Sequence, residues 1–198
     1  MIGKDILRFH AIYWPAFLMA ARLPLPKTVF AHGWIYYEQD KMSKSKGNVV
    51  YPEPIVDALD AFGAPGNDAL RYYLLREAPF GQDMSFSYDG LIQRFNSDLA
   101  NDLGNLASRT LTMLNRYFDA RVPDPSPGWT EREETQPKGY SLSSAFAYQK
   151  CFDAYNLSRG LEEVWDCVTE VNKYLVVTQP WAMAESTTAS DRQRLAAI

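Results

Sequence analysis

Lys41-Met42-Ser43-Lys44-Ser45 is the stretch on which the reading of this chain turns. Its two lysines are followed at once by Lys46 and Gly47. Lysine is a compact point charge suited to phosphate oxygens. Serine and glycine let such a loop move, so it can close over a triphosphate and stabilise the charge that develops as pyrophosphate leaves. A solvated basic turn has the same composition, so the loop must be read with what surrounds it.

Upstream, Thr28 to Tyr37 is rich in β-branched and aromatic residues. It reads as one strand, or as two short ones broken at Gly33. Before it, Ile6, Phe9, His10, Tyr13, Trp14, Phe17 and Leu18 recur at helical spacing, which predicts a helix from Asp5 to Leu23. Pro15 should kink that helix, and Pro24 and Pro26 should end it. Downstream, Pro52 and Pro54 open a short helix to about Phe62. Asn67 or Asp68 is expected to cap a helix over Ala69 to Glu77. Phe80 to Tyr88 reads as a loop.

Beyond residue 88 the pattern becomes helical throughout. Ile92, Phe95, Leu99, Leu103, Leu106, Thr110, Leu114 and Tyr117 form a narrow stripe at bundle spacing. Asp119 to Gly139 holds four prolines and reads as an exposed linker. Two further helical patterns, Leu142 to Leu157 and Gly160 to Thr178, precede a turn at Gln179-Pro180 and a last short helix. These changes predict two domains: a mixed α/β domain over 1–87 and an all-helical one over 88–198, with 119–140 linker-like.

Composition sets outer limits. With 46% hydrophobic and 22% charged residues in 198, the chain has the balance of a folded protein. A net charge of −4 means that any nucleic acid must be met by a local patch. Cys151 and Cys167 form no Cys-x-x-Cys pair, so neither a zinc site nor a disulfide framework is expected, which fits a reducing cytoplasm. Met1 to His10 lacks the pattern of a signal peptide. The apolar run Ile12 to Leu25 is broken by Pro15, Arg22 and Pro24 and is too short to span a membrane.

Several residues carry chemistry beside a plainer reading. Asp5, after Gly3 and Lys4, can accept hydrogen bonds from ribose hydroxyls, or simply cap a helix. Ile6, His10 and Trp14 share a helix face, and could line a pocket for a flexible thioether or pack in a core. Asn105 and Arg109 lie one turn apart, off the apolar stripe. An amide and a guanidinium can read the edges of an unstacked base, or can be solvated surface. Trp181, after Pro180, can stack on a base, which is worth roughly 1–3 kcal/mol, or cap the helical core.

In its α/β setting the lysine loop resembles the second signature of class I aminoacyl-tRNA synthetases, and the chain is most similar to the methionyl-tRNA synthetases. The resemblance implies the C-terminal half of a Rossmann-like catalytic domain followed by an anticodon-binding bundle that is itself cut short. It implies that Lys44 chiefly, with Lys41, neutralises the phosphates of ATP during formation of methionyl-adenylate. Gly3, Asp5, His32, Gly33 and Ser43 would also meet ATP, which enters with Mg2+. Ile6, His10 and Trp14 would line the methionine pocket. Asn105, Arg109 and Trp181 would recognise the anticodon of tRNA(Met), the initiator tRNA included, while Asn172 and Tyr174 read as structural. No zinc ligands are expected.

The first signature, His-Ile-Gly-His, is not in this sequence, nor is the first half of the nucleotide-binding sheet. The resemblance therefore implies a fragment that lacks the N-terminal half of the catalytic domain and is inactive and poorly soluble alone. A stand-alone tRNA-binding protein derived from a synthetase is the alternative, and a synthetase for leucine or cysteine is a third reading.

Overall fold

The structure, a computed structural model, describes residues 1–37, 40–79, 81–123 and 143–185 with 188, 191 and 195, and for Lys44 the backbone only. Most of the predicted linker, 124–142, and Phe80 lie outside the described residues. The chain divides into two compact units: Met1–Ile92 with Tyr155–Arg159, and Gln93–Ala154 with Gly160–Ile198.

In the first unit, β1 (Ile2–Gly3) pairs in parallel with β2 (Ala31–His32), placing Gly3 opposite His32. The helical connection between them is not uniform. A 3-10 turn, Lys4–Ile6, leads into a π-helical stretch, Phe9–Tyr13, and then α1, Trp14–Ala20. The expected kink at Pro15 is replaced by this widening. A proline has no N–H to give and its ring crowds the carbonyl four residues back. Here the preceding turn is already wide, and the Trp14 N–H donates to the Phe9 carbonyl, five residues back. The helix ends before Pro24: Arg22 turns left-handed, φ 56°, and the Leu23 N–H returns to the Leu18 carbonyl at 2.9 Å.

The segment around Gly33 is two short strands. β3 (Ile35–Tyr37) follows β2 and is the middle of a second sheet, antiparallel to β4 (Asp40–Lys41) and parallel to β5 (Met84–Phe86). β5 corrects the loop expected over 80–88. Met84 and Phe86 are buried and Ser85 is exposed, an alternation too short to register as a pattern in sequence. Two helices, α2 (Pro52–Ala61) and α3 (Gly66–Glu77), separate β4 from β5 in the chain. Neither Asn67 nor Asp68 caps α3. Its Gly66 N–H donates instead to Asp60 Oδ1 at 2.8 Å, from the end of the preceding helix. The core of this unit is Ile55, Leu70, Tyr73, Met84, Phe86 and Leu91. The Tyr73 hydroxyl, deep in it, accepts the Ser87 N–H at 3.2 Å and so ties α3 to the end of β5.

The predicted long helix is three segments: α4 (Tyr88–Arg94), a π-helical run over Phe95–Gly104, and α5 (Asn105–Phe118). In the second unit the apolar stripe is only partly realised. Leu99, Leu106, Leu114 and Tyr117 are half-buried, but Leu103 and Thr110 are exposed; Leu103 lies in the π-helical run, whose wider turn departs from the spacing that the stripe assumes. The buried residue of that run is Asp98, held by Arg94 Nη1 at 3.3 Å and by the Ser97 hydroxyl at 2.5 Å. Side chains of a later helix hold π-segment carbonyls. Trp165 Nε1 donates to Asp98 O at 3.1 Å and Asn172 Nδ2 to Asp102 O at 3.2 Å. With a helix over 143–153, here α6, that later helix is α7 (Leu157–Thr178). Gln179 then turns left-handed, φ 46°, and α8 (Pro180–Glu185) follows.

Candidate active site

The lysine loop leaves β4 with its apolar residue turned inward. Met42 packs on the core of the first unit, while Lys41 stays exposed. Asn48, which sequence reasoning did not single out, closes the loop. Its Oδ1 accepts the Ser43 N–H at 2.9 Å and its Nδ2 donates to the Lys41 carbonyl at 3.3 Å. Ser43 is also occupied within the loop: its hydroxyl accepts the Lys46 N–H at 3.3 Å and lies 3.2 Å from Ser45 Oγ. Lys46 pairs with Asp40 at 2.9 Å. Lys44 sits in the 3-10 turn Lys44–Lys46, and its side chain lies outside what the structure describes.

Three predicted segments meet around Lys41. Its Nζ lies 3.6 Å from Asp5 Oδ2. Asp5 sits in the turn directly after β1, and β1 pairs with the strand that carries His32. A side chain on Gly3 would come 2.6 Å from Asp5 Oδ1, so only glycine lets that carboxylate lie where it does. His32 Nδ1 donates to the Gly33 carbonyl at 2.8 Å, which fixes the exposed ring against its own strand and directs Nε2 away from that bond. Gly33 has a second reason to be glycine. A Cβ there would collide with the Gln82 carbonyl, so the close approach of the β5 lead-in demands it even without a ligand.

Lys4, from the Gly3-Lys4-Asp5 segment, completes this neighbourhood with Trp34 and Asp83, neither of which was singled out from sequence. Lys41 Nζ lies 3.9 Å and Lys4 Nζ 4.3 Å from the centre of the Trp34 ring. Asp83 pairs with Lys4 at 2.5 Å and accepts the Trp34 N–H at 2.9 Å. The Lys4 hydrogen bond first, and the Trp34 N–H second, hold the Asp83 carboxyl below the usual range. Asp83 is distant from the loop in sequence, so only the β3–β5 pairing brings it here.

Ile6, His10 and Trp14 do share a face. His10 Nδ1 donates to the Ile6 carbonyl at 3.0 Å, and its ring meets the Trp14 ring edge-on at 5.9 Å. Ile6 and Trp14 are 41% and 43% exposed, so neither belongs to the core formed by the described residues. In the second unit Asn105 and Arg109 are both exposed on the first turns of α5. Pro180 is fully buried while its neighbour Trp181 is 40% exposed, so the proline anchors and the indole stays accessible. Asn172 is structural, as its bond to the π segment shows. Among the described residues no group of three or more His, Cys, Asp or Glu is placed to hold a metal ion. No described helix is long and apolar enough to cross a membrane.

Parallel strands thus bear a glycine and a histidine side by side, with a cationic loop ion-paired to the carboxylate beside them, in keeping with the class I synthetase resemblance of the lysine loop. Comparison with known proteins agrees. Residues 1–111 match the tRNA synthetases class I (M). The methionine–tRNA ligase of Lactiplantibacillus plantarum is 46% identical over 198 residues, all of this chain and 28% of that protein. That of Caldanaerobacter subterraneus subsp. tengcongensis is 48% identical over the same length, 30% of that protein. The chain thus spans under a third of the length of these curated relatives. Mycobacterium tuberculosis methionyl-tRNA synthetase bound by methionyl-adenylate superposes with a TM-score of 0.89 at 43% identity, covering all of this chain and 37% of that one. Its apo form gives 0.85 at 40% identity, with 36% of that chain covered. The chain belongs to the methionyl-tRNA synthetase family, with the mixed α/β and largely helical content of the class I catalytic fold.

Proposed function

We propose that this chain contributes the lysine-loop side of an ATP-dependent methionine–tRNA ligase, acting within a full-length synthetase. The observation that carries the reading is the convergence of Gly3-Lys4-Asp5, His32-Gly33 and Lys41, joined by the Gly3–His32 strand register and the 3.6 Å Lys41–Asp5 contact. Three segments read separately as nucleotide-facing thus share one neighbourhood. In this reading Asp5 and the His32-Gly33 backbone receive the ribose and adenine. Lys41 and Lys44 neutralise the phosphates of Mg2+-ATP as the methionine carboxylate attacks the α-phosphorus and pyrophosphate departs. Ion-pairing with Asp5 at 3.6 Å holds the Lys41 ammonium close until phosphate oxygens compete for it.

Ile6, His10 and Trp14 form the wall that takes the thioether, being contiguous, mostly apolar and open to solvent. The helical residues from 88 onward serve as the anticodon-binding domain for tRNA(Met), with Asn105 and Arg109 reading base edges and Trp181 stacking. Their exposure supports this, since a reading surface must be accessible.

The test is methionine-dependent exchange of pyrophosphate into ATP by the full-length protein, with Lys41→Ala and Lys44→Ala beside it. Exchange that requires methionine and falls in both variants is expected. Exchange driven by leucine instead would overturn the substrate. Tight tRNA binding with no exchange for any amino acid would favour a tRNA-binding protein without ligase activity.

A further inference from the structure

We propose that Trp34 is a positioning residue for the adenylation step, its ring serving as a platform that holds the Lys41 ammonium at the nucleotide site. This rests on the reading of Lys41 given above and assigns a residue that the reading does not contain. Two cationic groups on one indole, at 3.9 Å for Lys41 and 4.3 Å for Lys4, is an arrangement with an electrostatic cost. Like charges repel, and a hydrated ammonium gives up water to sit on a ring. The ring's negative face offsets part of that. The remainder is offset by two carboxylates, one for each lysine: Asp83 for Lys4 and Asp5 for Lys41. The result is an alternating chain, Asp83, Lys4, Trp34, Lys41, Asp5, in which each charged group touches one of opposite sign or the indole between them.

The ring is held from its backbone as well. Its N–H is fixed to Asp83 Oδ1 at 2.9 Å, and the ring of Tyr36 meets it edge-on at 6.4 Å. The indole Nε1, by contrast, is buried with no hydrogen-bond partner among the described residues. Buried indole N–H groups are normally satisfied. An indole placed here with its N–H unpaired is used for its faces. Lys41 is half-exposed, and a lysine on a flexible stem with only one carboxylate at 3.6 Å has many rotamers to choose from. The platform reduces that choice before ATP arrives, so less ordering remains for the transition state.

The test uses the full-length synthetase and methionine-dependent pyrophosphate exchange, with Trp34→Leu and Trp34→Phe. Phenylalanine keeps a π face without the N–H; leucine keeps apolar bulk without a face. Trp34→Leu is expected to lose about three- to ten-fold in kcat/KM for ATP, with KM for methionine unchanged, and Trp34→Phe to recover most of the loss. Thermal melts of both variants report whether the fold is kept. Equal activity of Trp34→Leu and wild type overturns the platform, as does equal impairment of the leucine and phenylalanine variants with unchanged melts. Should Trp34→Leu fail to fold, Trp34→Phe and Trp34→Tyr decide alone: wild-type-like ATP kinetics support the platform, and a ten-fold loss in both refutes it. Absence of exchange in the wild type would instead sink the ligase reading itself, so the two failures are distinguishable.

Discussion

Asn48→Ala removes both side-chain bonds that close the lysine loop. The Ser43 N–H loses its 2.9 Å acceptor, and the Lys41 carbonyl loses its 3.3 Å donor. A net intramolecular hydrogen bond is worth about 0.5–1.5 kcal/mol, and the longer, exposed bond belongs at the lower end. The pair therefore holds the loop geometry by about 1–2 kcal/mol. At 1.4 kcal/mol per factor of ten, rebuilding that geometry in the transition state lowers kcat/KM for ATP by about 5- to 30-fold. Asn48→Asp keeps an acceptor for Ser43 but has no donor for Lys41, and sets a carboxylate against a carbonyl. It should fall between wild type and alanine in exchange rate only if the Ser43 bond dominates. The assay is pyrophosphate exchange by the full-length protein, varying ATP and methionine separately. KM for methionine should not move, because both of these Asn48 bonds go to the loop. Hydrogen exchange gives an independent readout, since the Ser43 amide should lose protection in the alanine variant. Unchanged ATP kinetics for Asn48→Ala, with the Ser43 amide still protected, would refute the argument that this side chain sets the loop.

Gly33→Ala should be poorly folded whatever its ligand-binding state, because its Cβ meets the Gln82 carbonyl. Backbone displacement of that kind costs about 1–3 kcal/mol, read as a lower Tm without ATP present. The Asp83 pairing makes a signed prediction in acid. Its carboxyl is held below the usual range in the folded protein, so its stabilising contribution is present above the ordinary aspartate value of about 4 and is lost as pH falls through the lowered folded value. The stability difference between wild type and Asp83→Asn in denaturant melts should shrink as pH is lowered through that window; a difference that grows would contradict it. Trp181→Ala should weaken binding of initiator tRNA about ten-fold, within the roughly 1–3 kcal/mol of a stacked base, while leaving pyrophosphate exchange intact. Unchanged affinity would remove Trp181 from the anticodon set.

Where a signal is local, it was readable. The lysine loop is contiguous, so its charge spacing can be seen without a fold. Gly33 marked the place where one strand or two had to be chosen and the structure has two, Pro52 opened α2 at its first turn, and the four-residue spacing of Ile6, His10 and Trp14 gave a common face even through an irregular helix. Signals that depend on distant partners were not readable. The cap of α3 is Asp60, a residue of the preceding helix, and β5 is a strand because β3 lies beside it. The π-helical runs at Phe9–Tyr13 and Phe95–Gly104 leave no mark in periodicity, because each is a widening of a helix that the apolar spacing already predicts.

The lysine loop shows the division most clearly. Sequence alone determined its charge and the phosphate chemistry it suits, because these belong to five adjacent side chains. Tertiary structure decided what holds it. Met42 packs against the core, Asn48 closes the turn, Asp5 pairs with Lys41, and Trp34 lies under it. Asn48 is near in sequence, but Asp5 arrives through the parallel β1–β2 pairing and Trp34 through the β3–β4 register. Pairing is chosen by burial of one sheet face against a core, a property of the folded whole that no single stretch carries.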